Sequence, residues 1–346
     1  MNRDKELLRK ITLGSLRMEE DEKGYITFSR LTKKQENLYI ERGFSPRHIA
    51  SASVKLEFYT TGGEICFDYR ICPGTKRAYY SIDLLVNGVF CYHIAKDTSN
   101  DFGSFKYVIP WKEHEQRVTI YFPSIASMRI KNIILPDDHI PHRRKRKILA
   151  LGDSTMQGYY PNHFQNTYAN IVADKWNAEL LNQAIGGSVF CKNFLDKIAF
   201  EPDFIMVCFG INDWVSGQFR TGEDARAYFT QLTQLYPQKP VFVIIPFEPY
   251  ALARENPDLV NFDGEIADEF ASQTLQDVRE ILLEIVRDYK KIIPINAKDF
   301  VPRYFECFYG DKIHFSDLGN VIAGNKIFDE IKRYIENWEE KGEEYE

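Results

Sequence analysis

Ser154 stands in the turn Gly152-Asp153-Ser154-Thr155, directly after a short apolar run, and His314 stands three residues after Asp311 near the far end of the chain. A serine hydroxyl becomes a strong nucleophile only when a neighbouring base takes its proton. A carboxylate three residues before a histidine can accept the Nδ1–H and leave Nε2 free for that task. Two further segments offer donors for the oxyanion that such an attack creates. Asn182-Gln183-Ala184-Ile185-Gly186-Gly187-Ser188 carries paired glycines, whose backbone N–H groups can approach a ligand closely. Gly210-Ile211-Asn212-Asp213-Trp214 offers the side-chain amide of Asn212. The chemistry implied is acyl transfer through a covalent serine intermediate.

Each segment also has a plain structural reading. Gly-Asp-Ser is ordinary turn composition and could simply cap a helix. Paired glycines could serve a left-handed turn, and Asn212 an Asx-turn. The G-x-S-x-G elbow is absent, because Asp153 and Thr155 flank Ser154 and Met156 follows. What favours chemistry is placement: all four segments follow predicted strands, and open α/β sheets build their sites at the carboxyl ends of strands.

The elements that must position these residues alternate in type. Strands are expected at Lys147–Leu151, Leu180-Leu181, Asp203–Phe209, Val241–Ile245 and Ile292–Ile295. Helices are expected at Tyr168–Trp176, Glu223–Leu235, Asp268–Tyr289 and Leu318–Trp338, with a frayed acidic tail over Glu339–Glu346. Alternating strands and helices imply a parallel sheet covered on both faces. From about residue 25 to 137 the pattern is different: short alternating strands, glycine-rich turns and the hairpin signal Asn87-Gly88 between Tyr80–Val86 and Val89–Ile94. The other strands expected there are Val54–Tyr59, Ile65–Tyr69, Phe105–Ile109, Arg117–Phe122 and Met128–Leu135. That half reads as an antiparallel sandwich. The domains expected are 1–140, a β-sandwich, and 141–346, the catalytic half, which suits a chain of 346 residues.

Taken together, the four segments resemble the SGNH, or GDSL, hydrolase superfamily over roughly residues 147–338. The resemblance implies a flavodoxin-like three-layer α/β/α domain in which Ser154 is the nucleophile and its own N–H the first oxyanion donor. Gly187 N–H would be the second donor, with Gly186 as the alternative one residue away, and the Asn212 side chain the third. His314 would be the base, oriented by Asp311. The first block departs from the family's usual Gly-Asp-Ser-Leu, since Thr155 and Met156 follow Ser154 at what is a packing position. The sandwich lies outside the minimal superfamily fold. It resembles the jelly-roll that precedes the catalytic domain in a subset of carbohydrate esterases, through its arrangement and the stretch Leu56-Glu57-Phe58-Tyr59-Thr60-Thr61.

The resulting expectation is an esterase acting on a short acyl group, most simply acetyl, carried by a carbohydrate. Asp153, Trp214 and Tyr159 are candidate substrate contacts, and Tyr160 and Phe247 are aromatic residues near strand exits that could stack on a sugar or fill the core. The alternatives are a lysophospholipase or thioesterase, and a carbohydrate-binding protein with a vestigial catalytic half.

Composition removes other classes. A formal net charge of −6 gives no basic face for nucleic acid. The one basic run, His142 to Lys147, reads as a solvated linker end feeding a buried strand. No apolar run approaches the roughly 20 residues of a membrane helix. The histidines show neither H-x₃-H nor HExxH spacing, so no metal or other cofactor is expected. Six cysteines form no CxxC pair, and Cys66, Cys91 and Cys208 lie within apolar strand-like runs. Reduced thiols and a first segment without an apolar leader point to the cytoplasm, with secretion open only if a leader has been removed.

Overall fold

A computed structural model describes residues 3–98, 100–217, 219, 221–250 and 273–340. The chain divides into two compact units. One comprises Met1–Lys147 with Asn162–Gln165 and Asn177–Gln183; the other comprises Ile148–Pro161, Asn166–Trp176 and Ala184–Glu346.

The first unit is a sandwich of two antiparallel sheets. One runs in the order Thr12–Leu13, Lys55–Thr60, Gln116–Tyr121, Tyr80–Val86, Val89–Lys96, with Ile140–Pro141 also paired to Lys55–Thr60. The other runs Arg17–Glu20, Ile26–Ser29, Ala126–Ile134, Gly63–Pro73, Asp101–Ile109. Alternate residues of both sheets, among them Leu56, Phe58, Ile82, Ile120, Phe67 and Ile130, are fully buried in one core. The directly paired Phe67 and Phe105 stack at 4.8 Å, a cross-strand contact of the kind that stabilises sheets. At Asn87-Gly88 both residues have positive φ, 52° and 79°, which is the two-residue turn that the dipeptide predicts.

Several features of this unit depart from the sequence expectation. Helices occur at Arg3–Ile11, which buries Leu8 and Ile11, and at Lys33–Glu41, which is opened by a capping box between Thr32 and Gln35. Both are short, and neither has the long periodic pattern that a sequence reading detects. The strand Arg17–Glu20 has no apolar alternation and owes its pairing to its neighbour Ile26–Ser29. Cys91 is exposed, because most of the edge strand Val89–Lys96 faces solvent. The basic run is only half solvated. The Arg144 side chain is buried against the buried Glu57, with two N–H···O contacts of 2.5 Å, and His142 is buried as well. Arg143, Lys145 and Lys147 are exposed.

The catalytic-type half is built on a five-stranded parallel sheet in the order Ala178–Asn182, Arg146–Gly152, Phe204–Cys208, Val241–Ile245, Ile292–Asn296. Phe204 and Phe242 pack edge-on with each other and reach Trp176 and Tyr334 at 6.1 and 5.6 Å. Those two partners belong with the paired helices Tyr168–Lys175 and Asp317–Glu340. Strand alternation turns Ile205, Val207 and Val243 to the opposite face, where they are equally buried. Glu223–Leu235 packs on Leu275–Val286, which lies against Val241–Ile245 and Ile292–Asn296. The helix expected at Asp268–Tyr289 is therefore shorter: Thr274 and Asp277 form a capping box that starts it at Leu275. Residues 268–272 of that expectation, and 341–346 of the acidic tail, lie outside the described residues.

Candidate active site

The strand Arg146–Gly152 ends where the short helix Ser154–Gln157 begins. Gly152 is needed there for space, not for bending. A Cβ on it would stand 2.6 Å from the Cys208 carbonyl oxygen and 2.7 Å from Met156 Cβ. Asp153 caps the helix, accepting from the Thr155 N–H at 3.0 Å and from the Thr155 hydroxyl at 2.9 Å. Ser154 thus begins a helix at the carboxyl end of the sheet; of the two residues that follow it where the family block has Leu, Met156 is fully buried and Thr155 is half-buried.

His314 arrives from the long segment after the strand Ile292–Asn296, just ahead of the final helix. Its Nε2 lies 2.7 Å from Ser154 Oγ, and its Nδ1 lies 2.6 Å from Asp311 Oδ2. Asp311 Oδ1 accepts from the backbone N–H groups of Ile313 and His314, both at 3.0 Å. Lys312 takes a left-handed φ of 62°, and this tight bend folds the carboxylate back onto its own loop. Burial alone would raise the Asp311 carboxyl, but the hydrogen bond and charge of His314 and the two backbone N–H groups outweigh it and leave it below its ordinary value.

Gly186 and Gly187, which the sequence left as alternatives, are separated by their contacts. The Gly186 N–H donates to Gln157 Oε1 at 2.6 Å and is committed. Gly187 has φ 83°, a backbone that favours glycine, and its N–H has no acceptor among the described residues. The loop is pinned to the serine turn by the Ile185 N–H, which donates to the Gly152 carbonyl at 3.0 Å. Asn212, on the short helix Ile211–Val215, donates one amide hydrogen to the Ser188 carbonyl at 3.0 Å. A carboxamide has two such hydrogens, so that bond fixes the side chain and leaves a second donor.

The candidate substrate contacts fare differently. Asp153 is buried, and burial pushes its carboxyl up to about 6 against the pull of the Thr155 bonds. It behaves as a cap. The Trp214 indole N–H donates to the Gln273 carbonyl at 2.8 Å, which uses that edge of the ring. Phe247 is buried against Phe315 at 4.8 Å and belongs to the core. Tyr159 lies 5.3 Å from the His314 ring and Tyr160 lies 4.8 Å from it. Tyr160 also stacks at 4.1 Å on Tyr309, which is exposed.

Sequence reasoning missed Gln157, Lys312 and Tyr309. None has a residue type that announces a role; each matters through one long-range or backbone contact. It also gave no role to Asp213. This carboxyl is buried and accepts from the Phe190 N–H at 2.9 Å. Burial pushes it up to about 7, opposed by that bond and reinforced by the charge of Asp153.

With this geometry in view, comparison with known proteins identifies the fold. The GDSL-like lipase/acylhydrolase family model matches residues 150–322, half of the chain. The chain belongs to that family. No curated protein sequence matches it. Among solved structures, a salicylyl-acyltransferase from a tetracycline biosynthetic pathway superposes with a TM-score of 0.75 at 16% identity, covering 93% of this chain and 94% of that one. An acetyl xylan esterase from the rumen bacterium Butyrivibrio proteoclasticus gives 0.59 at 14% identity, covering 92% and 99%. A family two carbohydrate esterase from Clostridium thermocellum, solved with cellohexaose, gives 0.55 at 15% identity, covering 82% and 92%. At these identities the likeness is one of fold: an SGNH acylhydrolase domain preceded by a β-sandwich, as in two-domain carbohydrate esterases. No helix among the described residues is long and apolar enough to cross a membrane.

Proposed function

We propose that this GDSL-like protein is a serine esterase that removes short acyl groups, most simply O-acetyl, from carbohydrates. The observation that carries the reading is the continuous chain Ser154 Oγ to His314 Nε2 at 2.7 Å and His314 Nδ1 to Asp311 Oδ2 at 2.6 Å. His314 takes the Ser154 proton as Oγ attacks the ester carbonyl, and Asp311 holds the ring in the tautomer that leaves Nε2 basic. Negative charge gathers on the carbonyl oxygen, where the Ser154 and Gly187 N–H groups and the second Asn212 amide hydrogen receive it. The imidazolium then gives its proton to the leaving alcohol. In the second half His314 deprotonates water, which attacks the acyl-enzyme and frees Ser154. A vestigial site has no reason to keep this set of contacts assembled.

The carbohydrate acceptor is supported by the two-domain likeness to carbohydrate esterases and by the partly exposed Tyr160–Tyr309 stack beside His314. Flat aromatic surfaces of this kind suit the apolar face of a sugar ring. A second reading follows from the likeness to the acyltransferase: an acyl-enzyme can be discharged by a sugar or other alcohol in place of water.

The test has two parts. A fluorophosphonate probe should label the native chain and spare Ser154→Ala. A panel of acetylated sugars and nitrophenyl esters of increasing chain length should then show the acetates turning over fastest. Faster hydrolysis of long-chain esters would favour a lysophospholipase or thioesterase. Acyl transfer to an added alcohol in excess of hydrolysis would establish the second reading.

A further inference from the structure

The sandwich unit contains a second carboxylate–imidazole cluster that the esterase reading does not use. Asp83 on Tyr80–Val86 is fully buried, and its register partner on the edge strand is His93. That pairing depends on a bulge. The Asn87-Gly88 turn pairs Val86 with Val89 and Leu85 with Phe90, but the register then shifts, and Leu84 meets Tyr92. An unbroken hairpin would have set Tyr92 opposite Asp83; the extra residue puts His93 there, as bulges commonly re-aim a side chain. The segment Asn162–Gln165 belongs to the same unit and brings a third group. The Ser81 hydroxyl donates to the Asn162 carbonyl at 3.0 Å and the Phe164 N–H donates to Asp83 Oδ2 at 3.1 Å, which fixes His163 above the carboxylate.

The ligating atoms converge. His93 Nδ1 lies 3.6 Å and His163 Nδ1 lies 3.5 Å from the same oxygen, Asp83 Oδ1, and the three atoms all lie within 4.8 Å of one another. That oxygen is buried and accepts no hydrogen bond among the described residues. The imidazoles stack at 5.1 Å and 27°, and Phe90 packs edge-on against both. These distances are too long for the direct bond that Asp311 and His314 make at 2.6 Å. They match the edge of a coordination tetrahedron: ligands about 2.0–2.1 Å from a zinc ion stand roughly 3.3–3.4 Å apart. Both histidine side chains remain about one-third exposed, at 38% and 32%, so an ion can enter and keep a water ligand.

We propose that Asp83, His93 and His163 form a binding site for one zinc ion, with two imidazole Nδ1 atoms, one carboxylate oxygen and water as its ligands. An ion there would link the hairpin to the segment around His163, and it lies outside the Ser154 chemistry. Two imidazoles and a carboxylate suit zinc over magnesium or calcium, which prefer oxygen ligands alone.

The test uses the full chain, stripped with a chelator and titrated with Zn²⁺ in competition with a chromophoric indicator. One equivalent should bind saturably. His93→Ala and His163→Ala should each weaken binding by at least about 10-fold, while Cys91→Ser and His114→Ala should leave it unchanged. Esterase activity should stay within about twofold in every variant, which also shows that each has folded. Absence of saturable uptake by the native chain would overturn the proposal without reference to any variant. So would full-strength binding by both histidine variants. Neither outcome bears on the esterase reading, because zinc uptake is measured without substrate.

Discussion

The protein holds two clusters of carboxylate and imidazole that differ in spacing and in how the chain brings them together. Around Ser154 the groups touch: one carboxylate, one ring and one hydroxyl form a line of contacts at 2.6 and 2.7 Å. In the sandwich, one carboxylate oxygen faces two rings at 3.5 and 3.6 Å. The first spacing suits a proton moving along a line; the second suits an ion shared among ligands. Identical functional groups therefore support different chemistry according to an ångström of separation.

Ser154→Ala should break the first cluster most completely, lowering kcat by about 10⁶ while Zn²⁺ affinity stays unchanged. Steady-state kinetics beside an indicator titration reads both. Asp311→Asn should cost less, about 10⁴ in kcat, because the base survives but loses its orientation. A loss below tenfold would mean that the 2.6 Å contact does not set the tautomer. Asn212→Ala should lower kcat by about 10²–10³ with little change in KM, the mark of a donor used in the transition state. If KM rises and kcat holds, Asn212 binds substrate instead.

Smaller effects separate buried carboxyls by sign. Asp213 keeps a proton in the fold because burial pushes it up to about 7, and Asp153 does so up to about 6. Their contribution to stability is complete below an unfolded value of about 3.9 and is lost as pH rises through the folded values. Asp311 has the opposite sign: its carboxyl is lowered, so its contribution is present above that unfolded value and lost as pH falls through the folded one. Thermal melts from about pH 5 to pH 8 should show Tm declining in the native chain. The decline should be a few degrees shallower in Asp213→Asn, which can still accept from the Phe190 N–H. Equal slopes would place the Asp213 proton elsewhere.

Much of the catalytic half was legible because its signals are local. Val241–Ile245 and Glu223–Leu235 occupy the residues expected of them, since an apolar run or a helical period is written in consecutive residues. Asp311 and His314 are three residues apart, so their contact needs only the bend at Lys312. The turn at Asn87-Gly88 was equally plain. Arg144 beside Glu57 was not, because the partner that removes it from solvent lies far away in sequence.

By itself, then, the sequence determined the two halves, the parallel order of elements in the second, and four short segments able to carry acyl chemistry. Tertiary structure alone decided that the Gly186 N–H is spent on Gln157 while the Gly187 N–H meets no acceptor among the described residues. It also decided that a bulge sets His93, not Tyr92, opposite Asp83. The reason is physical: turn chemistry and periodicity act between neighbours, whereas hydrogen-bond partners and strand register depend on which distant groups packing brings within about 3 Å.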